Sequence, residues 1–79
     1  MKYKNNSTEI EIKKIFSDIM RVEIDEVNNN LKRDNCKNWD SLNHVRLILE
    51  IEKKLGIKID NNDAIDLDSF ESLIIFLKK

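Results

Sequence analysis

Asp40 and Ser41 are the two residues whose types and position in the chain could support chemistry. They stand where a long polar stretch gives way to an amphipathic helical pattern. Asp and Ser are preferred N-cap residues, so their side chains could serve only to accept hydrogen bonds from free backbone N–H groups. Alternatively, the Ser41 hydroxyl is a modification site, because a phosphate attached there would meet those N–H groups and the positive end of the helix dipole.

The other reactive side chains indicate no catalytic centre. His44 falls on the core-facing side of the same helical pattern, which is typical of a core histidine with its hydrogen bonds satisfied. Cys36 is the single cysteine, and an inert thiol is expected for a loop cysteine without a strongly basic setting. The sequence offers neither a nucleophile–base–orienter set nor Cys and His residues at metal-ligand spacing. We therefore expect a protein that is not an enzyme, with no catalytic residue and no metal site.

Composition narrows the class of protein further. The 79 residues suffice for a single small domain, residues 1–79. Lys and Arg number 14 against 15 Asp and Glu, and a net charge of −1 argues against a nucleic-acid partner. No apolar run approaches the roughly 20 residues that span a bilayer, and none follows Lys2 and Lys4 as a secretory signal requires. We expect a cytoplasmic monomer without a membrane span.

Apolar spacing and capping residues indicate an all-α fold, in keeping with the absence of proline and the single glycine. Thr8 and Glu11 fit a capping box at the first helix. Gly56 stands where the second helix needs a left-handed C-terminal residue, and Asn62 or Asp63 could cap a short third helix. The predicted helices, three main ones and a short third, cover about 8–21, 41–55, 63–67 and 69–78.

The segments outside these helices are polar. Residues 1–6 are expected to be frayed. The gap between the first and second helices is long, and loops of this length are either functional or fixed by their own side chains. Apolar residues that could anchor the loop in the core are Val22, Ile24, Val27, Leu31 and Trp39.

The helix over 41–55 carries two apolar faces at about 100° of rotation per residue. One is predicted to face the core. The second is either a surface for a binding partner or is covered by the long loop. The core face consists of Leu47, Ile48, Ile51 and Leu55; the second face, which we call the outer stripe, consists of Leu42, Val45 and Leu49, flanked by Arg46 and Lys53.

The sequence resembles the acyl carrier protein family over nearly its whole length. The resemblance begins at Asp40-Ser41-Leu42, preceded by Trp39 as in a stand-alone subset of carriers with Trp-Asp-Ser-Leu. It continues through the helical segment to Ile59 and again over residues 68–77, which are similar to the family's closing helix. The order of the helices and the long first loop also match.

This resemblance implies a four-helix bundle with a short third helix. It also implies that a separate magnesium-dependent phosphopantetheinyl transferase attaches 4′-phosphopantetheine from coenzyme A to Ser41, with Asp40 as part of the motif it recognises. The thiol of that arm would carry acyl groups as thioesters between acyl-loading and acyl-processing enzymes of fatty-acid or polyketide-type metabolism. The core expected to loosen around an acyl chain comprises Leu47, Ile48, Ile51, Leu55, Ile59, Leu67, Ile74 and Phe76.

The chain departs from the family at several positions. Asn38 stands where members usually have glycine, and Trp39 could either anchor the loop or shape a partner contact. The family's second helix is usually acidic, whereas the helix over 41–55 of this chain is not. Its acidic residues are concentrated instead between Asp60 and Glu71. We therefore expect partners to bind more through the outer stripe than through steering charge. The expected partner surface is Trp39, Leu42, Val45, Arg46, Leu49 and Lys53.

Two other functions fit the same residues. One is a carrier of aminoacyl, D-alanyl or peptidyl groups, although Asp before Ser favours an acyl carrier because peptidyl carriers more often have His there. The other is a helical adaptor without a prosthetic group, in which the outer stripe binds a protein and Ser41 is only an N-cap.

Overall fold

The computed structural model describes residues 6–78. This part of the chain is all-helical, as predicted, with a short third helix and two 3-10 turns, Ile24–Glu26 and Arg33–Asn35, in the loop between the first two helices. The predicted fraying of residues 1–6 lies outside the described residues, except that Asn6 begins the first helix. The helices are α1 (Asn6–Met20), α2 (Ser41–Leu55), α3 (Asn61–Ile65) and α4 (Phe70–Lys78).

The start of α1 differs from the prediction. The helix begins at Asn6, so Thr8 lies within the first turn and is buried rather than standing at the N-cap. The predicted capping box was therefore wrong, because a pattern that can cap a helix also fits inside one. At the other end, Arg21 has a φ of 59° and its N–H donates to the Ser17 carbonyl, a left-handed termination like that which glycine commonly provides.

Helix α2 has the same bounds as the sequence predicts. Asp40 caps its start, with its side chain accepting a hydrogen bond from the Asn43 N–H at 2.8 Å. Gly56 closes its end in the left-handed conformation (φ 65°, ψ 38°), and its N–H donates to the Glu52 carbonyl. Glycine adopts this φ without the strain that a side chain adds, so it is the favoured residue at this helix end.

The last two helices are each capped by a side chain that stands just before the helix. Asp60, rather than Asn62 or Asp63, caps α3, so this helix begins and ends about two residues earlier than predicted. Before α4, Ser69 and Ser72 exchange hydrogen bonds: each backbone N–H donates to the other's hydroxyl, at 3.2 and 3.0 Å. This reciprocal arrangement satisfies two otherwise free donors at the start of α4.

An aromatic group lies at the centre of the core. The Phe16 ring contacts Trp39 and Phe70 edge-on, with ring centroids 5.3 and 5.4 Å apart, a preferred geometry for aromatic pairs. Trp39 thereby anchors the end of the long loop. Val27 and Leu31 of this loop are also buried, whereas Ile24, another expected anchor, is exposed.

The long loop is also bound to the start of α4 through its backbone. The Arg33 N–H donates to the Asp68 carbonyl at 2.8 Å, and the Phe70 N–H donates to the Leu31 carbonyl at 3.0 Å. These bonds form an isolated antiparallel bridge between Lys32 and Ser69. The bridge fixes the middle of the loop at the same end of the molecule as the N-terminus of α2. Within residues 6–78, no helix is long and apolar enough to cross a membrane.

Candidate functional site

The Ser41 hydroxyl is exposed at the first residue of α2. The capping bond to the Asn43 N–H is made by Asp40, so the Ser41 side chain is not the N-cap. This corrects the alternative in which Ser41 serves as the cap. The division of roles leaves an accessible nucleophilic oxygen beside the free N–H groups of the first turn, where a negative charge is stabilised.

Asn38 holds the turn that precedes Ser41. Its side-chain amide donates to the Met20 carbonyl at the end of α1 (2.8 Å), and its own carbonyl accepts from the Asn43 side chain (2.7 Å). Where the resembled family usually has glycine, this chain has a side chain that links the loop to α1, while the backbone carbonyl of the same residue links it to α2. The position of the hydroxyl is fixed by three parts of the fold.

Arg33 is a site contact that the sequence analysis missed. Its Nη2 donates to the Ser41 Oγ at 3.2 Å from the second 3-10 turn. The two residues are eight positions apart across an irregular loop, and no periodic pattern relates them. Arg33 is half-buried and takes part in none of the ion pairs formed among residues 6–78.

Trp39 does not belong to the partner surface, which corrects that prediction. Only 3% of the residue is exposed, and its indole N–H donates to His44 Nδ1 at 2.9 Å. An indole can only donate, so His44 Nδ1 must accept and its Nε2–H donates to the Ala64 carbonyl at 2.8 Å. His44 is therefore a buried structural link between the loop, α2 and α3, in agreement with its predicted core-facing position.

The outer stripe is not covered by the loop. Leu42, Val45 and Leu49 are 60%, 54% and 56% exposed, respectively, and they begin immediately after Ser41. Arg46 and Lys53 are exposed beside them, and Lys53 lies 3.9 Å from Glu50. Ile65 of α3, which the sequence analysis did not place on this surface, is 70% exposed.

The residues expected to admit an acyl chain lie mostly in one core. Of that set, all are buried except Phe76, which is half-buried and packs on the core from its edge. An apolar groove of about 330 Å³ opens between α2 and α3, and Ile48 and Ile59 are the members of the set that line it. Its other apolar lining residues are Val45, Leu49, Ala64 and Ile65. The groove thus joins the outer stripe to the core.

Cys36 is the last of the reactive side chains that the sequence analysis named. Cys36 is 7% exposed, so its thiol is shielded by the loop. Among residues 6–78, no three His, Cys, Asp or Glu side chains are arranged to hold a metal ion.

Comparison with known proteins agrees with this geometry. A family model described as "Phosphopantetheine attachment site" matches residues 11–77. The acyl carrier protein of Buchnera aphidicola subsp. Schizaphis graminum (strain Sg) is 33% identical over 72 residues, which cover 91% of each chain. An exposed hydroxyl at a helix start, with a guanidinium beside it, suits an ester-linked phosphate. The chain therefore belongs to the acyl carrier protein family, and it is a carrier of covalently attached 4′-phosphopantetheine and a substrate of phosphopantetheinyl transferase.

Proposed function

We propose that Ser41 is the attachment residue and that Asp40 presents it to the transferase. The observation that carries this proposal is that Asp40 caps α2 while the Ser41 hydroxyl stays exposed. In the transfer, a bond forms between the Ser41 Oγ and the phosphorus that bears the pantetheine arm. The bond from that phosphorus to the nucleotide part of coenzyme A breaks, and the serine proton leaves to a base of the transferase.

The chain's own residues then hold and present the arm. When bound, the group supplies a thiol that carries an acyl group as a thioester. Asp40 and Asn38 keep the attachment point fixed at the end of α2, with their hydrogen bonds to Asn43 and Met20. The surrounding surface is open, so enzymes that load and process the acyl group can reach the arm.

The outer stripe is the proposed docking surface for these enzymes. Leu42, Val45 and Leu49 are each more than half exposed and begin at the attachment residue. Exposed aliphatic side chains in one row favour association through apolar burial. Arg46 and Lys53 form the rim of this surface, whereas the buried Trp39 is excluded from it.

The apolar groove supports an acyl cargo over an aminoacyl one. A hydrocarbon chain would bury apolar surface against Ile48 and Ile59, whereas a D-alanyl group has a single methyl group to bury there. The carboxylate in the groove lining, that of Glu52, already accepts a hydrogen bond from the Ile59 N–H. We accordingly propose that the carrier serves fatty-acid or polyketide-type metabolism. The proposed core residues for a bound chain are Leu47, Ile48, Ile51, Leu55, Ile59, Leu67 and Ile74, with Phe76 at the edge.

We further propose that residues 1–79 form one carrier domain that acts as a cytoplasmic monomer. Among residues 6–78, α1, α2, α4 and the long loop all contribute to one hydrophobic core cluster, which supports one domain. Light scattering of the purified protein at two concentrations tests the monomer.

Intact mass measurement tests the attachment residue. The chain is co-expressed with a broad-specificity phosphopantetheinyl transferase as wild type, Ser41→Ala and Ser7→Ala, the last being a matched change at another exposed serine. The wild type and Ser7→Ala should each gain the mass of one phosphopantetheine group, and Ser41→Ala should gain none. Modification of Ser41→Ala would show that another residue is the attachment site.

NMR spectra of loaded forms test the cargo. The holo-protein is loaded with a medium-length acyl group or with D-alanine, and the methyl resonances of Ile48 and Ile59 are compared with those of the unloaded form. The acyl group should shift both residues, because they line the groove. Equal, negligible shifts with both cargoes would contradict the proposed acyl site.

A further inference from the structure

We propose that Arg33 is a positioning residue that clamps the phosphodiester at Ser41 and so restricts the base of the arm. This inference rests on the proposed attachment to Ser41. It adds a residue of the long loop, outside the Asp-Ser-Leu motif, to the site that holds the prosthetic group.

The contact on which the inference rests is already present without the phosphate. Arg33 Nη2 lies 3.2 Å from the Ser41 Oγ, and no ion pair within residues 6–78 competes for its guanidinium. Arg33 lines a surface cavity of about 510 Å³ together with Lys32, Asp34 and Asp68. The formal charges of these four residues cancel. The direct contact, rather than the net local charge, therefore distinguishes Arg33.

The backbone that carries Arg33 is fixed. Its N–H donates to the Asp68 carbonyl at 2.8 Å, and the neighbouring Lys32 N–H donates to the Asn35 side chain at 2.9 Å. Leu31 and Cys36, on either side of the turn, are buried. Because these contacts order the turn, binding an anion requires no ordering of the backbone, and only the side-chain rotamers of Arg33 become restricted.

A phosphate on Ser41 would improve this contact. The hydroxyl is a neutral acceptor, whereas the non-bridging oxygens of a phosphodiester share a negative charge and lie two bonds from Oγ. Arginine stays protonated and presents several N–H groups in one plane, which matches two phosphate oxygens at once. The free N–H groups at the start of α2 would offer the same phosphate further donors. Lysine could supply the charge but not the two-point geometry.

The test compares apo and holo wild type with holo forms of Arg33→Gln, Arg33→Lys and Lys37→Gln. Lys37→Gln is the matched control, since it removes one positive charge from an exposed position of the same loop. Intact mass first establishes attachment at Ser41, and circular dichroism establishes that each variant is folded. The readouts are the Arg33 Nε–Hε resonance and its relaxation, and the phosphorus-31 shift and relaxation of the phosphodiester.

We expect attachment of the arm to shift the wild-type Arg33 signal and to slow its side-chain motion. The fraction of time during which the side chain at position 33 contacts the phosphate should fall about fivefold in Arg33→Gln and by less in Arg33→Lys. In Lys37→Gln this fraction should not change. Identical Arg33 signals in the apo and holo wild type would overturn the inference without needing any variant. So would phosphorus relaxation that is the same in Arg33→Gln and Lys37→Gln.

Failure of the clamp and failure of the proposed attachment give different results. A wild type without the arm on Ser41 overturns the proposed attachment residue, and the inference with it. An arm on Ser41 with an unaffected Arg33 overturns the clamp alone.

Discussion

The two apolar faces of α2 consist of the same kinds of residue and differ only in what packs against them. On one face, Leu47 and Ile51 are almost fully buried in the core. On the other, Leu42 and Leu49 are more than half exposed, although they belong to the same helix. Aliphatic character alone therefore does not assign a role. The core face stabilises the fold, and the outer stripe is left available for association because the long loop is anchored elsewhere.

The largest effect expected from this comparison is on stability. Leu47→Ala removes a buried side chain and should lower the free energy of unfolding by about 3 kcal/mol. Leu49→Ala makes the same chemical change two residues away on the exposed face, and it should alter stability by less than about 0.5 kcal/mol. Urea unfolding of the two variants beside the wild type measures both values. Equal losses would show that the outer stripe is covered in solution.

The next largest effect on stability is expected from the two hydrogen bonds of His44. His44→Ala would leave the Trp39 indole N–H and the Ala64 carbonyl without their partner, and we expect a loss of about 2 kcal/mol. Trp39→Phe keeps a six-membered ring in the core but removes the indole N–H and part of the buried ring system, so a loss of similar size, about 2 kcal/mol, is expected. Urea unfolding monitored by circular dichroism serves both variants, since fluorescence is lost with Trp39. An unchanged free energy of unfolding in His44→Ala would show that these hydrogen bonds make no net contribution to stability.

These two faces also show how far the sequence determines the structure. Asp40 and Gly56 act locally, so the bounds of α2 follow from residue types at its ends. The burial of Leu47 and Ile51 follows from helical periodicity, because every helix of a small bundle must bury one stripe. The start of α1 and the position of α3 were mispredicted because several neighbouring polar residues could act as caps, and tertiary packing selects among them.

The rest of the site depends on contacts between distant segments. The Trp39 side chain is directed inward by Phe16 and His44, and neither is implied by the residues beside it in the sequence. The contact between Arg33 and Ser41 requires the backbone bridge between Lys32 and Ser69, which is a tertiary interaction. Sequence reasoning thus placed the Ser41 hydroxyl and a cap at the start of α2, but it did not place the guanidinium beside them.

Substitutions in the outer stripe should weaken binding of the transferase although they change the stability of the fold little. Leu49→Ala should raise the KM of the transferase for the apo-protein about threefold to tenfold while kcat changes little, because a contact made equally in the ground and transition states is lost. Glu50→Ala, a neighbouring exposed position outside the stripe, is the matched control and should leave KM near the wild-type value. Steady-state kinetics with varied apo-protein measures both. An unchanged KM for Leu49→Ala would remove this residue from the docking surface.

The smallest expected effect concerns salt. In α2, Arg46, Lys53 and Lys54 nearly balance Glu50 and Glu52, so the helix offers little net charge to steer a partner. Raising the salt concentration from about 0.05 to 0.5 M should therefore change the transferase KM by no more than about twofold, although it screens exposed charges almost completely. Arg46→Glu makes the helix acidic and should introduce a clear salt dependence with a basic transferase, whereas Arg46→Gln should not. A tenfold rise in KM for the wild type would show that charge, including the acidic segment from Asp60 to Glu71, contributes more to docking than the apolar stripe does.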